Sequence, residues 1–201
     1  MAEVEIVRAT QLMPDEDFRA FYGEHFGEVY RYTARRAAAA DVDGLVADVF
    51  VVAWRRFADL PLSDHERTLW LFGVSRRVMA DNRKAATRRD RLRQRLGSGE
   101  RGQAAHDVPG SSVGPESAEA DLAIRVLAEL RPRDREALRL VLWEQLNHAE
   151  VADVLGCSVN AVAIRLHRAR RKMTSRYAEL ARQETQDGGA RTRPVSRKKA
   201  P

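Results

Sequence analysis

The 201-residue sequence contains one cysteine, Cys157, so no intrachain disulfide can form and nothing marks an oxidising compartment. No apolar run approaches the ~20 residues that a membrane-spanning helix needs, which excludes membrane insertion by that route. The opening stretch MAEVEIVRATQLMPDEDF is mixed in charge and has no apolar core, so it does not read as a signal peptide, and a cytoplasmic protein is expected. Aromatic residues make up only 6% of the chain, a share suited to small helical bundles. Strand-like alternation is nearly absent. So are a Gly-rich phosphate loop after a strand, a Ser/His/Asp or Cys/His arrangement, and any metal-ligand spacing. The five histidines, His25, His65, His106, His148 and His167, are dispersed. No enzyme activity, cofactor or metal site is expected.

What is abundant is charge and helical periodicity. Charged residues are 32% of the chain, the formal net charge is +6 and the isoelectric point is near 10.0, a balance that favours a polyanionic partner. The stretch Glu144–Met173, EQLNHAEVADVLGCSVNAVAIRLHRARRKM, reads as two helices joined by a tight turn. Asn147 is placed to cap the first, with Glu150 three residues on as in a capping box. Gly156 tolerates the positive φ needed just past a helix end, and Ser158 can cap the second helix. In that second helix Val159, Val162, Leu166, Ala169 and Met173 recur at spacings of three and four and form a buried face. A step of about 100° per residue puts Asn160, Ala161, Ile164, Arg168 and Arg171 opposite, with Arg165 on the flank, so Arg168 has no expected core role. The pattern is that of a helix-turn-helix whose outer face suits the DNA major groove.

Upstream, residues 1–14 read as a disordered leader ending at Pro14. A helix is expected from about Asp15, with Phe18, Phe21, Tyr22, His25, Val29 and Tyr32 on one side. His25 reads as an edge residue with no carboxylate cluster to make it a metal ligand. Asp41 and Asp43 introduce a second helix, striped by Leu45, Val46, Val49, Ala53 and Phe57 and widened by Phe50 and Trp54. It leaves Gly44, Ala47, Asp48 and Val51 nearer the outside. Leu60 and Pro61 end it, and Asp64 is a possible cap for the third helix, about Glu66–Arg95. That helix begins apolar (Leu69, Trp70, Leu71, Val74, Val78) and turns basic, with Arg83, Lys84, Arg88, Arg89, Arg91, Arg93 and Arg95 against Asp90. It can be a solvated helix end or a phosphate-tracking patch. Residues 97–117, rich in Gly, Ser and Pro, read as a flexible linker. Leu122, Val126 and Leu130 open a second domain, Pro132 stands in the first turn of its next helix, and Leu138, Val141 and Leu142 form that helix's buried face. Past Tyr177 the pattern fades, and residues 182–201 read as a disordered basic tail. The expected organisation is all-α: two small helical domains, 15–96 and 118–181, joined by the linker.

Three pieces, LRPRDREALRL, HAEVADVLG and SVNAVAIRLHRAR, resemble the promoter-reading domain of the extracytoplasmic-function (ECF) sigma factors of bacterial RNA polymerase. DVDGLVADVFVVAW and WLFGVSRRVMADNRK resemble that family's other domain, which binds core polymerase and captures the melted promoter strand. The chain departs from the family pattern at Gly44 (usually acidic), Ala47 (glutamine), Arg77 (asparagine), Asn147 (Ser or Thr) and Ala161 (Thr). The resemblance implies a sigma factor whose partners are core RNA polymerase, promoter DNA and an anti-sigma factor. It implies reading of the minus 35 element through Asn160, Ala161, Ile164, Arg165 and Arg168, with Arg171 and Lys172 on phosphates. It implies capture of the minus 10 strand around Arg76, Arg77, Asn82, Arg83 and the loop from Asp59 to His65, including Asp64. Polymerase binding would fall to Leu45, Asp48, Val51 and Val52. Two other readings stand beside it: a helix-turn-helix regulator that does not engage polymerase, motivated by Gly44 and Ala47, and an interaction protein silenced by a partner covering its apolar faces.

Overall fold

The computed structural model describes the backbone of residues 2–95 and 118–190, and the side chains of 16–95, 122–180 and Arg182. The expected linker, 97–117, and residues 191–201 of the expected tail lie outside the described residues. Seven α-helices are described: α1 (Ala2–Ala34), α2 (Val42–Arg55), α3 (Asp64–Arg95), α4 (Ala118–Ala128), α5 (Pro132–Trp143), α6 (His148–Leu155) and α7 (Val159–Ala190). Short 3-10 turns at Ala39–Asp41 and Phe57–Asp59 flank α2, and no strand occurs among the described residues. The chain forms two compact units: α1, α2 and α3 with the segment Ala149–Cys157, and α4, α5 and α7.

In the first unit the three long helices bury one shared core. Phe21 and Val29 of α1, Val42, Val46, Val49, Phe50 and Ala53 of α2, and Leu71 and Val74 of α3 are all sealed from solvent. Each of the valine, leucine and phenylalanine side chains contributes roughly 1.5–3 kcal/mol by leaving water. The ring of Phe18 meets those of Trp54 and Phe57 edge-on, with centroids 4.8 and 5.4 Å away. Tyr32 stacks on Phe72 at 4.6 Å, and the guanidinium of Arg36 lies 3.6 Å over the Tyr32 ring while donating to the Tyr32 carbonyl at 2.9 Å. A buried arginine is thus held by a π face and a carbonyl in its own turn.

Several elements differ from the expectations drawn from sequence. The first helix begins at Ala2 rather than near Asp15, so residues assigned to a leader are helical. They include good helix formers, and Pro14 does not end the element. Ser63, not Asp64, caps α3: its Oγ accepts from the Glu66 N–H at 3.3 Å, and the same hydroxyl donates to Glu66 Oε2 at 2.9 Å, which ties the cap to the first turn. Tyr22, Trp54 and Val159, all expected on buried stripes, are exposed.

The second unit closes over Leu122, Val126, Leu130, Ala137, Leu138, Leu140, Val162, Leu166 and Ala169. In α5 the buried face runs Asp134, Ala137, Leu138, Arg139 and Leu140, while Leu142 is 60% exposed. The helix is rotated from the expected stripe because two of its inward positions are polar, which an apolar pattern does not register. α7 runs on to Ala190, past the residue where a tail was expected to begin. A helix can extend without an apolar face once its first turns are anchored.

Candidate nucleic-acid interface

The turn before α7 is built as its residue types require. Gly156 adopts φ +62°. The Cys157 N–H reaches the Ala152 carbonyl at 3.0 Å and the Gly156 N–H reaches that of Asp153 at 3.2 Å, the paired bonds that end a helix on a left-handed residue. Ser158 Oγ then accepts from the Ala161 N–H at 3.2 Å and caps α7. Asn147 directly precedes the first residue of α6.

On α7, Asn160, Ala163, Ile164, His167 and Arg171 are exposed, whereas Ala161 and Arg165 are half-buried. Two of the expected DNA contacts are engaged elsewhere. Arg168 Nη2 donates to Asp134 Oδ1 at 3.1 Å, a pair whose side chains are 50% and 7% exposed. Lys172 Nζ donates to the Glu129 carbonyl at 2.6 Å. Arg168 therefore has a structural role that the helical wheel does not assign to it: a buried carboxylate on α5 draws it around the helix. The wheel places Cα atoms, and a long side chain can lean a quarter-turn away from its Cα.

In the first unit, the residues expected to capture single-stranded DNA lie on α3 and in the loop before it. Arg77 and Arg83 are exposed and Asn82 is half-buried. Two others are held by the Ala149–Cys157 segment of the same unit: His65 Nε2 lies 2.7 Å from Glu150 Oε1, and Arg76 Nη2 donates to the Leu155 carbonyl at 3.3 Å. The sequence pattern assigns residues 149–157 to the second domain and gives no sign of these contacts, which join positions about eighty apart. Asp64 is exposed and accepts from Arg67 at 3.2 Å. Leu62, in the same loop, is 93% exposed and is a candidate the sequence does not reveal, since a lone leucine in a polar loop carries no periodic signal. The far end of α3 is basic and exposed, with Lys84–Asp81 and Arg93–Asp90 as exposed pairs at one-turn spacing. Such pairs contribute a few tenths of a kcal/mol, so that end is organised for charge rather than for stability.

On α2, Gly44, Ala47, Asp48 and Val51 are exposed as expected, and Val51 shows 46% of its surface. Val52 is half-buried. Leu45 is buried, so it supports this face from beneath and does not form part of it. One further expectation is corrected. Glu24, His25 and Asp64 bring ligand-type atoms within 4.8 Å of one another, so His25 does have carboxylate neighbours. His25 itself is buried, its Nδ1 3.3 Å from Thr68 Oγ1, and two of the three groups are exposed carboxylates of which one is engaged by Arg67. We assign no metal to them.

A capped turn followed by a helix with an exposed polar and basic face defines a DNA-binding protein of the helix-turn-helix class. The family described as sigma-70, region 4, matches residues 120–173. The RNA polymerase sigma factor NccH of Alcaligenes xylosoxydans xylosoxydans is 34% identical over 175 residues, spanning 78% of this chain and 90% of that protein. The ECF RNA polymerase sigma factor SigL of Mycobacterium tuberculosis is 26% identical over 163 residues, covering 81% of this chain and 89% of the relative. Among solved structures, the sigma factor RpoE of Bartonella quintana, in complex with the anti-sigma factor NepR, shares the fold with a TM-score of 0.57 at 20% identity over 80% of this chain and 96% of that one. The chain belongs to the extracytoplasmic-function family of RNA polymerase sigma factors. It acts as a sigma factor, which replaces the reading as a regulator independent of polymerase. Among the described residues no helix is long and apolar enough to cross a membrane.

Proposed function

We propose that this sigma factor directs core RNA polymerase to its promoters by dividing the work among three exposed faces. The face of α7 carrying Asn160, Ala161, Ile164 and Arg165 reads base edges of the minus 35 duplex, and Arg171 holds a phosphate. Arg77, Asn82 and Arg83 on α3, with the Asp59–His65 loop, hold unstacked bases and backbone of the minus 10 strand. Bases outside the stack need guanidinium, amide and apolar partners, and Leu62 adds an exposed apolar one. Arg76 and His65 join them only when released from residues 149–157. On α2, Asp48 and Val51 with half-buried Val52 form the surface for core polymerase: apolar contact beside a charge that fixes register. Leu45 shapes it from below.

The observation that carries this reading is the coexistence of an exposed Val51–Asp48 face on α2 with a capped, exposed, basic α7. A duplex reader alone has no use for the first. The protein works in the cytoplasm without catalytic groups of its own, and its regulation by an anti-sigma factor follows the example of RpoE, which was solved bound to one. Asp48→Arg tests the polymerase face. The charge reversal sits on an exposed position, so melting temperature stays within about a degree or two while capture of core enzyme is lost. Retention of core enzyme by Asp48→Arg would remove α2 from the interface.

A further inference from the structure

α7 carries two rows of side chains that the sequence does not separate: one exposed row and one of cations engaged by neighbouring elements. Asn160, Ile164, His167 and Arg171 follow one another at spacings of four, three and four and are all exposed. Arg168, Lys172 and Arg176, each one turn apart, drift around the helix from roughly a fifth to two-fifths of a turn away from that face. All three are engaged by the corner between α4 and α5. Arg168 meets the buried carboxylate of Asp134 in the first turn of α5. Lys172 donates to the Glu129 carbonyl. Arg176 grips the Glu129 carboxylate with two nitrogens, Nε to Oε2 at 2.7 Å and Nη2 to Oε1 at 3.0 Å, and Glu179 with the third at 2.6 Å. The corner is itself fixed by Arg135 Nη2, which donates to the Leu130 carbonyl at 3.1 Å and to that of Ala128. α7 packs on both α4 and α5, so these bonds set its rotation about its own axis.

We propose that Asp134 and Glu129 are positioning residues for promoter reading: through Arg168, Lys172 and Arg176 they clamp the rotation of α7, and the DNA is left to the exposed Asn160, Ile164, His167 and Arg171 with half-buried Ala161 and Arg165 beside them. The inference rests on the reading of α7 as the minus 35 helix. A carboxylate as enclosed as Asp134 requires a charged partner, so Arg168 is not free to exchange it for a guanine edge at no penalty. Arg168 thus acts through the orientation of its helix rather than by touching a base.

The test uses the full-length chain and duplexes that the wild-type protein enriches from randomised DNA. Asp134→Asn, Arg168→Gln and the double variant are compared with Arg171→Ala. Circular dichroism at the assay temperature confirms folding, and Glu129→Gln, on the exposed side of the corner, serves if Asp134→Asn does not fold. With the clamp, Asp134→Asn and Arg168→Gln each weaken the enriched duplex by about tenfold and the double variant is no worse than either. Discrimination against scrambled duplex falls, while the salt slope keeps its wild-type value because no phosphate contact is lost. Arg171→Ala instead lowers the slope by about one unit. Unchanged or tighter binding by Asp134→Asn, with Arg168→Gln still weakened, would make Arg168 a direct DNA contact and overturn the clamp. A wild-type chain that enriches no sequence would overturn the minus 35 reading itself, and is seen before any variant is made.

Discussion

Among the described residues, two with φ > 0 stand in turns, and their chemistry is opposite. Gly156, at φ +62°, ends α6 with open space around its Cβ position, so its substitution is limited by the backbone alone. Gly156→Ala lowers stability by ~1–2 kcal/mol, the penalty for an L-residue in the left-handed region. Gln145, at φ 55°, already carries that penalty at the end of α5. Gln145→Gly relieves it, though glycine loosens the unfolded chain, and a gain of up to ~1 kcal/mol in chemical denaturation is expected. A loss on Gln145→Gly would show that the glutamine side chain holds the turn. Arg168 gives the third residue-scale prediction. Because Asp134 holds it, Arg168→Ala lowers stability by ~1–3 kcal/mol, the penalty for leaving the buried Asp134 carboxylate without its partner, where the helical wheel predicts no change.

Among the elements, α7 is where electrostatics can be read by titration. The hydrogen bond from Arg176 holds the Glu129 carboxyl below its ordinary value; desolvation opposes it, and the nearby charges of Arg176 and Lys172 add to the lowering. Hydrogen bonds to Glu129 and Glu179 raise Arg176 in return. A carboxylate lowered in the folded state stabilises above its unfolded pKa and loses that contribution as pH falls through the folded value. Glu129→Gln is therefore less stable than wild type near neutrality, and the two melting curves converge as pH drops below the usual carboxylate range. A difference that persists at acid pH would assign the effect to packing. The elements also show where sequence is informative. Most of the core stripes of α1 and α2 (Tyr22 and Trp54 excepted), the cap at Ser158 and the turn at Gly156 are legible because each rests on local periodicity or a local bond. Asp134, Arg139 and the exposure of Leu142 are not, since a buried polar residue in α5 is defined by what faces it from α7. His65 and Arg76 fall in the right unit by sequence, yet their partners Glu150 and Leu155 lie far along the chain, beyond any local signal.

At the scale of the whole molecule, family membership and the separation of exposed faces give one account. In the function proposed above, Asp48 and Val51 on α2 would meet polymerase, the cations of α3 and Leu62 in its preceding loop would meet a melted strand, and the exposed face of α7 would meet duplex DNA. The departures at Gly44 and Ala47 leave small, exposed positions on the α2 face, which keep Val51 and Asp48 accessible. Transcription reconstituted from this chain and core RNA polymerase of its own source, on fragmented genomic DNA with start sites mapped, tests the account most directly. The prediction is a small set of starts absent with core enzyme alone, sharing sequence near minus 35 and minus 10, and lost with Asp48→Arg. Starts no different from those of core enzyme alone, under conditions in which the chain is folded and binds duplex DNA, would contradict it.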